Sequence, residues 1–128
     1  MSDSHPLLTI EQIVLIAIGG FAGANLRYFT GLVFPGMQGT LVVNVLGSFA
    51  LGLLLYESRN SELLSGKTRI VVGTGFISSF TTYSTFVVES ALATTWLLVA
   101  NVLASYALGF TGVLLGRAVA VRVDGGSV

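Results

Sequence analysis

Cysteine is absent from this 128-residue chain, which excludes a disulfide, a thiolate metal site and a thiol nucleophile. Charge is scarce: charged residues make up 9% of the sequence, with six Lys and Arg balanced by six Asp and Glu. An ordinary soluble domain carries roughly 25% charged residues. No basic patch is available for nucleic acid. The one histidine, His5, lies alone in the N-terminal tail, away from any metal-ligand cluster or nucleophile–base pair. An enzyme is therefore not expected.

Apolar sequence is abundant: 53% of the residues are hydrophobic and the mean hydropathy is +0.87. A helix crosses the hydrocarbon with about 20 apolar residues, so the chain has room for four crossings and short connections. The expected fold is an all-α membrane protein, a single four-helix domain over residues 1–128. Four short helices enclose little, so a solute pathway is expected between subunits of an oligomer. The start, Met1-Ser2-Asp3-Ser4-His5, lacks the basic segment of a secretory signal, and the apolar run after it is too long for one. It reads as a retained first helix.

The spans are expected at about 7–33, 39–56, 70–91 and 95–116. In the first, Thr9 is a candidate cap and Glu11 suits the positive end of the helix dipole. Gly19, Gly23, Arg27 and Gly31 recur every fourth position on one face, a spacing that allows close helix contact. Arg27 either snorkels to the headgroups or faces a water-filled vestibule beside Asn25. Phe34-Pro35-Gly36-Met37-Gln38 reads as a turn. In the second span Asn44, Ser48 and Gly52 share a face, and Asn44 either bonds a neighbouring helix or donates to a ligand. Glu57, Arg59, Glu62, Lys67 and Arg69 mark a solvated loop. In the fourth span Asn101, Ser105, Gly109, Gly112 and Gly116 form a small or polar stripe, and Arg117, Arg122 and Asp124 are expected beyond it in water.

The third span is the unusual one. Thr74, Ser78, Ser79, Thr81, Thr82, Ser84 and Thr85 place hydroxyls inside an apolar segment. A hydroxyl without a partner in hydrocarbon costs about 4–8 kcal/mol, so this density calls for a partner helix, water or an ion. Such hydroxyls can bond back to carbonyls and open a helix. Opened backbone at membrane depth survives only when buried in protein or lining a cavity. Tyr83 and Phe86 share a face, and Glu89 is the acidic residue within this span. Glu89 could bind a proton or cation, orient a hydroxyl, or sit at the interface.

With four crossings, both termini and the middle loop share one side, which carries Arg59, Lys67, Arg69, Arg117 and Arg122. The positive-inside rule then puts both termini in the cytoplasm.

Three motifs together resemble the Fluc (CrcB) family of fluoride channels: Gly19-Gly20-x-x-Gly23-x-x-x-Arg27, Gly39-Thr40-Leu41-x-Val43-Asn44-x-x-Gly47, and Thr81-Thr82-Tyr83-Ser84-Thr85-Phe86-x-x-Glu89. The resemblance implies a cell-membrane protein that passively exports fluoride and relieves its toxicity. It implies an antiparallel, dual-topology-like dimer with a broken third helix and two pathways along the subunit interface. By the same resemblance Tyr83 and Phe86 offer ring edges to fluoride, Asn44 donates to it, Arg27 belongs to an electropositive vestibule and Ser105 to a polar track. A structural sodium ion would be held by the backbone carbonyls of Ser78 and Thr81. The chemistry suits fluoride, which needs donors in place of its water but no charge that traps it. Asn44 offers N–H, Ser84 and Thr85 offer O–H, and an aromatic ring has a positive edge.

The sequence departs from the family pattern in three places. Tyr83 stands where the family usually has Phe, Ser78-Ser79 stands where it has Gly-Gly, and Gly109 and Val113 replace further polar positions. Serine disfavours the positive φ that glycine permits, which bears on the break and on the sodium site. The lopsided Lys and Arg distribution further suggests one half of an antiparallel heterodimer, its partner a homologue with the opposite bias. Two other readings compete: a small proton-coupled multidrug-type exporter using Glu89, and a non-transporting membrane scaffold.

Overall fold

The computed structural model describes residues 5–57 and 64–125, and among them it is helical without strands. Four segments are long and apolar enough to cross a membrane. The first is α1, Pro6–Val33, and the second is α2, Met37–Tyr56. The third crossing, Gly66–Leu92, is in two pieces, α3 over residues 66–80 and α4 over Ser84–Leu92. The last is α5, Thr95–Val123.

Local chemistry explains most of the boundaries. His5 caps α1 by accepting the Leu7 N–H at Nδ1 (3.3 Å), and Pro6 opens the helix, where its missing N–H is no loss. The cap is therefore His5 and not Thr9, which lies inside α1. Glu11 serves as the partner of Lys67 at 2.6 Å, joining α1 to the start of α3. Gly36 adopts φ +68° before α2, a conformation that L side chains resist. Ser65 caps α3 by accepting the Thr68 N–H. Glu57 is bonded by Arg69 at 3.1 and 3.3 Å and by the Leu64 N–H; Arg59 and Glu62 of the expected solvated loop lie outside the described residues. The fourth helix runs past the expected end at Gly116 to Val123. Arg117 and Arg122 are thus helical, as long cationic side chains at a span's end can reach water from within the helix.

The helices pack as two close pairs, α1 with α3 and α2 with α5. Missing side chains make the contacts possible. A Cβ at Gly19 would overlap the Val71 carbonyl, and one at Gly23 the Phe76 carbonyl. Gly52 and Gly116 do the same between α2 and α5, against the Val113 and Phe49 carbonyls. In lipid, where helices gain little by hiding apolar surface from one another, such close approach is a main source of association. Where α1 presses on α3, Ile70–Ile77 is wound as a π-helix, a wider coil that usually appears at functional sites.

Only Val43, Ile77, Phe80 and Phe86 are buried apolar side chains among the described residues, and most large apolar groups face outward. All four lie on α2, α3 and α4, around the interruption of the third crossing.

Candidate functional site

The third crossing opens at residues 81–83. Ser78 is still helical, with φ −61° and ψ −35°, and Thr81 then turns extended, with φ −83° and ψ 163°. Tyr83 has φ −97°, and the glycines with positive φ, Gly36 and Gly125, lie elsewhere. The break therefore needs no left-handed residue, and Ser78-Ser79 fits it without the backbone freedom of Gly-Gly. What serine adds is a hydroxyl: Ser78 Oγ donates to the Gly73 carbonyl at 3.3 Å.

Two neighbouring helices hold the opened backbone. Asn44 on α2 pairs with the peptide of Thr82 in both directions, Nδ2 donating to the Thr82 carbonyl and Oδ1 accepting the Thr82 N–H, each at 2.8 Å. In a continued helix the Thr82 N–H would bond the Ser78 carbonyl, so Asn44 takes over a donor and releases that oxygen. From α1, Arg27 Nη1 donates to the Thr81 carbonyl at 3.3 Å. Asn25, expected beside it in a vestibule, bonds back to the Phe21 carbonyl of its own helix at 2.7 Å. Thr82 restarts the helix: its Oγ1 accepts the Thr85 N–H at 3.2 Å and donates to Thr85 Oγ1 at 3.1 Å. The Thr85 O–H and the second Nδ2 proton of Asn44 remain as donors.

Of these residues Arg27, Thr82 and Thr85 border one cleft of about 360 Å³, together with Thr40, Val43 and Glu89 among others. The Glu89 Oε2 atom is buried there without a hydrogen-bond partner. Tyr83 and Phe86 meet at 6.0 Å between ring centroids, tilted by 38°, yet they differ in setting. Phe86 is 9% exposed and Tyr83 is 73% exposed, so one ring packs within the subunit and the other projects from it. Ser84, also exposed, lies 3.5 Å from Thr82 Oγ1.

Ser105 is not with this group. It lines a separate cleft of about 250 Å³ between α2 and α5, with Ser48, Tyr106, Gly109, Phe110 and Val113. Ser48 Oγ donates back to the Asn44 carbonyl of its own helix at 2.8 Å. Asn101 Nδ2 donates to Ser90 Oγ at 2.9 Å, a buried bond that fixes α4 to α5. The sequence allowed Asn44 a bond to a neighbouring helix, but its partner Thr82 was not legible because the two residues are far apart in the chain. The one signal was that a buried amide must find a partner.

The carbonyls of Ser78 and Thr81 are a donor set that suits a hard cation, since such ions take oxygen ligands. The first is freed by the Asn44 clamp, and the second retains a lone pair beside the Arg27 bond. Two oxygens fill only part of a coordination shell.

Comparison with known proteins identifies the family. The profile of the family described as CrcB-like protein, Camphor Resistance (CrcB), matches residues 14–117. A fluoride-specific ion channel FluC 1 of Haloarcula marismortui is 62% identical over 126 residues, covering 98% of each chain. A fluoride-specific ion channel FluC 2 of Halobacterium salinarum is 50% identical over 117 residues, covering 90% of this chain and 91% of its own. A FluC of Oceanobacillus iheyensis is 45% identical over 89 residues, 65% of this chain and 67% of its own. The matched region runs from within α1, through the break, into α5, and on that extent of agreement the chain belongs to the CrcB-like, or Fluc, family.

Proposed function

We propose that this chain is a subunit of a fluoride-selective channel in the cell membrane, a passive exit for fluoride from the cytoplasm, and not an enzyme. The observation that carries the reading is the opened third crossing: inside an apolar span, the hydroxyl-bearing Thr82 and Thr85 border a cleft with Arg27, and the amide of Asn44 holds the Thr82 backbone open beside it. The names of the relatives support fluoride as the ion. Fluoride gives up its water only for donors that replace it, and it leaves only if no site holds it too tightly. Thr85 O–H, the spare Asn44 N–H and the ring edge of Phe86 meet both conditions. Arg27 raises the local anion concentration ahead of them. The exporter reading is weaker, since Glu89 shares its cleft with hydroxyls and Arg27 rather than with an aromatic cage for a cation.

The pathway runs along the interface of an antiparallel dimer. Two features support a second subunit: the four-residue apolar core and the outward Tyr83. The partner is a homologue of opposite charge bias, because the Lys and Arg distribution favours a single orientation with both termini in the cytoplasm. The Ser78 and Thr81 carbonyls of the two subunits would together hold a structural sodium ion, which supplies fixed positive charge where the backbone is open.

The test is fluoride efflux from liposomes, with chloride as control, for the purified chain alone and with an opposite-bias homologue. Efflux is expected only from the pair, and is expected to fall at least tenfold with Asn44→Asp or Phe86→Ile. Efflux from the chain alone would overturn the heterodimer, and none under either condition would overturn the channel.

A further inference from the structure

The break already holds a positive group. Arg27 Nη1 sits 3.3 Å from the Thr81 carbonyl, one of the two oxygens assigned above to a hard cation. The bond leaves that oxygen a second lone pair, so the obstacle to a cation is charge rather than occupancy. A guanidinium keeps its proton in proteins, and two like charges at this separation repel. The conflict is therefore relieved by movement. Within the single subunit Arg27 is exposed, and it lines the cleft that holds Thr82, Thr85 and Glu89. Glu89 lines the same cleft and has one carboxylate oxygen, Oε2, buried without a hydrogen-bond partner.

We propose that Arg27 competes with the cation at the helix break, and that it joins cation occupancy there to anion attraction in the cleft. Without a cation, the guanidinium rests on the Thr81 carbonyl and supplies the positive charge that the opened backbone needs. When a cation binds, Arg27 swings into the cleft, beside the hydroxyls that meet the anion. Linkage makes the effect reciprocal: an anion that holds Arg27 in the cleft favours the cation at the break. This inference rests on the proposed sodium site, and extends it by giving Arg27 a role in that site's affinity.

The test is thermal unfolding of the full-length protein, reconstituted with its partner if one is required, across a sodium titration. Ionic strength is held constant with N-methylglucamine, a cation too bulky for the break. In Arg27→Gln the half-maximal sodium concentration is expected to fall about tenfold, a typical coupling between two sites, and stability without sodium is expected to fall below wild type. Arg27→Lys, which keeps the charge, should stay close to the wild-type half-point. An unchanged or higher half-point in Arg27→Gln overturns the competition and leaves the sodium site standing. No sodium effect in either protein overturns the sodium site and the competition with it. If Arg27→Gln does not fold, the wild type suffices, since added fluoride must lower its sodium half-point, and no change overturns the proposal.

Discussion

The two halves of the third crossing are held by different physics. Over residues 66–80 the backbone bonds to itself, and neighbouring α1 reaches it because Gly19 and Gly23 leave out their side chains. From Thr81 onward the backbone bonds to others: Arg27 takes the Thr81 carbonyl and Asn44 takes both faces of the Thr82 peptide. The first half is stabilised by proximity and the second by polar pairing. Proximity tolerates no added atom, whereas polar pairing tolerates added atoms but not a lost partner.

Substitutions on the two sides should therefore fail differently. The largest effect is expected at Gly23→Val, where the new side chain would meet the Phe76 carbonyl and the Phe80 amide. Backbone cannot move aside as a side chain does, so the loss should exceed about 3 kcal/mol, read as loss of monodisperse protein on size exclusion. Asn44→Ala should cost about 1–3 kcal/mol, the price of a buried N–H left without its acceptor. The variant should remain folded, with a lower unfolding temperature and weakened fluoride efflux. A fully stable Asn44→Ala would show that the break holds its shape without the clamp. The smallest effect is expected at Tyr83→Phe, which removes a hydroxyl from a ring that is 73% exposed. Stability should change by no more than about 0.5 kcal/mol, so any change in efflux would report on the ion path alone.

Sequence reading located the spans because about 20 apolar residues in a row are hard to mistake. Hydroxyl density marked the unusual segment, but the break itself came from the family resemblance, which put it at Ser78-Ser79, whereas Ser78–Phe80 stays helical and the backbone opens from Thr81. Sequence reading stopped the fourth span at Gly116, treating Arg117 as water-facing, although the helix continues to Val123. The π-helical winding of Ile70–Ile77 had no signal, since an i→i+5 ladder uses the same apolar residues as an α-helix. Ser105 looked like a companion of Asn44, but the fold sets it in another cleft. Asn44 itself was read as bonding a neighbouring helix or donating to a ligand; it makes the first bond, to Thr82, and one of its amide protons is still available for the second. That most of its amide is committed to Thr82 depends on how α2 docks against the break, which no local pattern encodes.

The Asn44 clamp has an evolutionary consequence. Its two bonds grip the peptide of residue 82 and read nothing of the side chain there. Mutation can therefore change the side chain at position 82 without loosening the clamp, although it removes the hydroxyl that caps the restarted helix at Thr85. Descendants of one ancestor could vary their hydroxyls and rings around a backbone gap that is inherited unchanged.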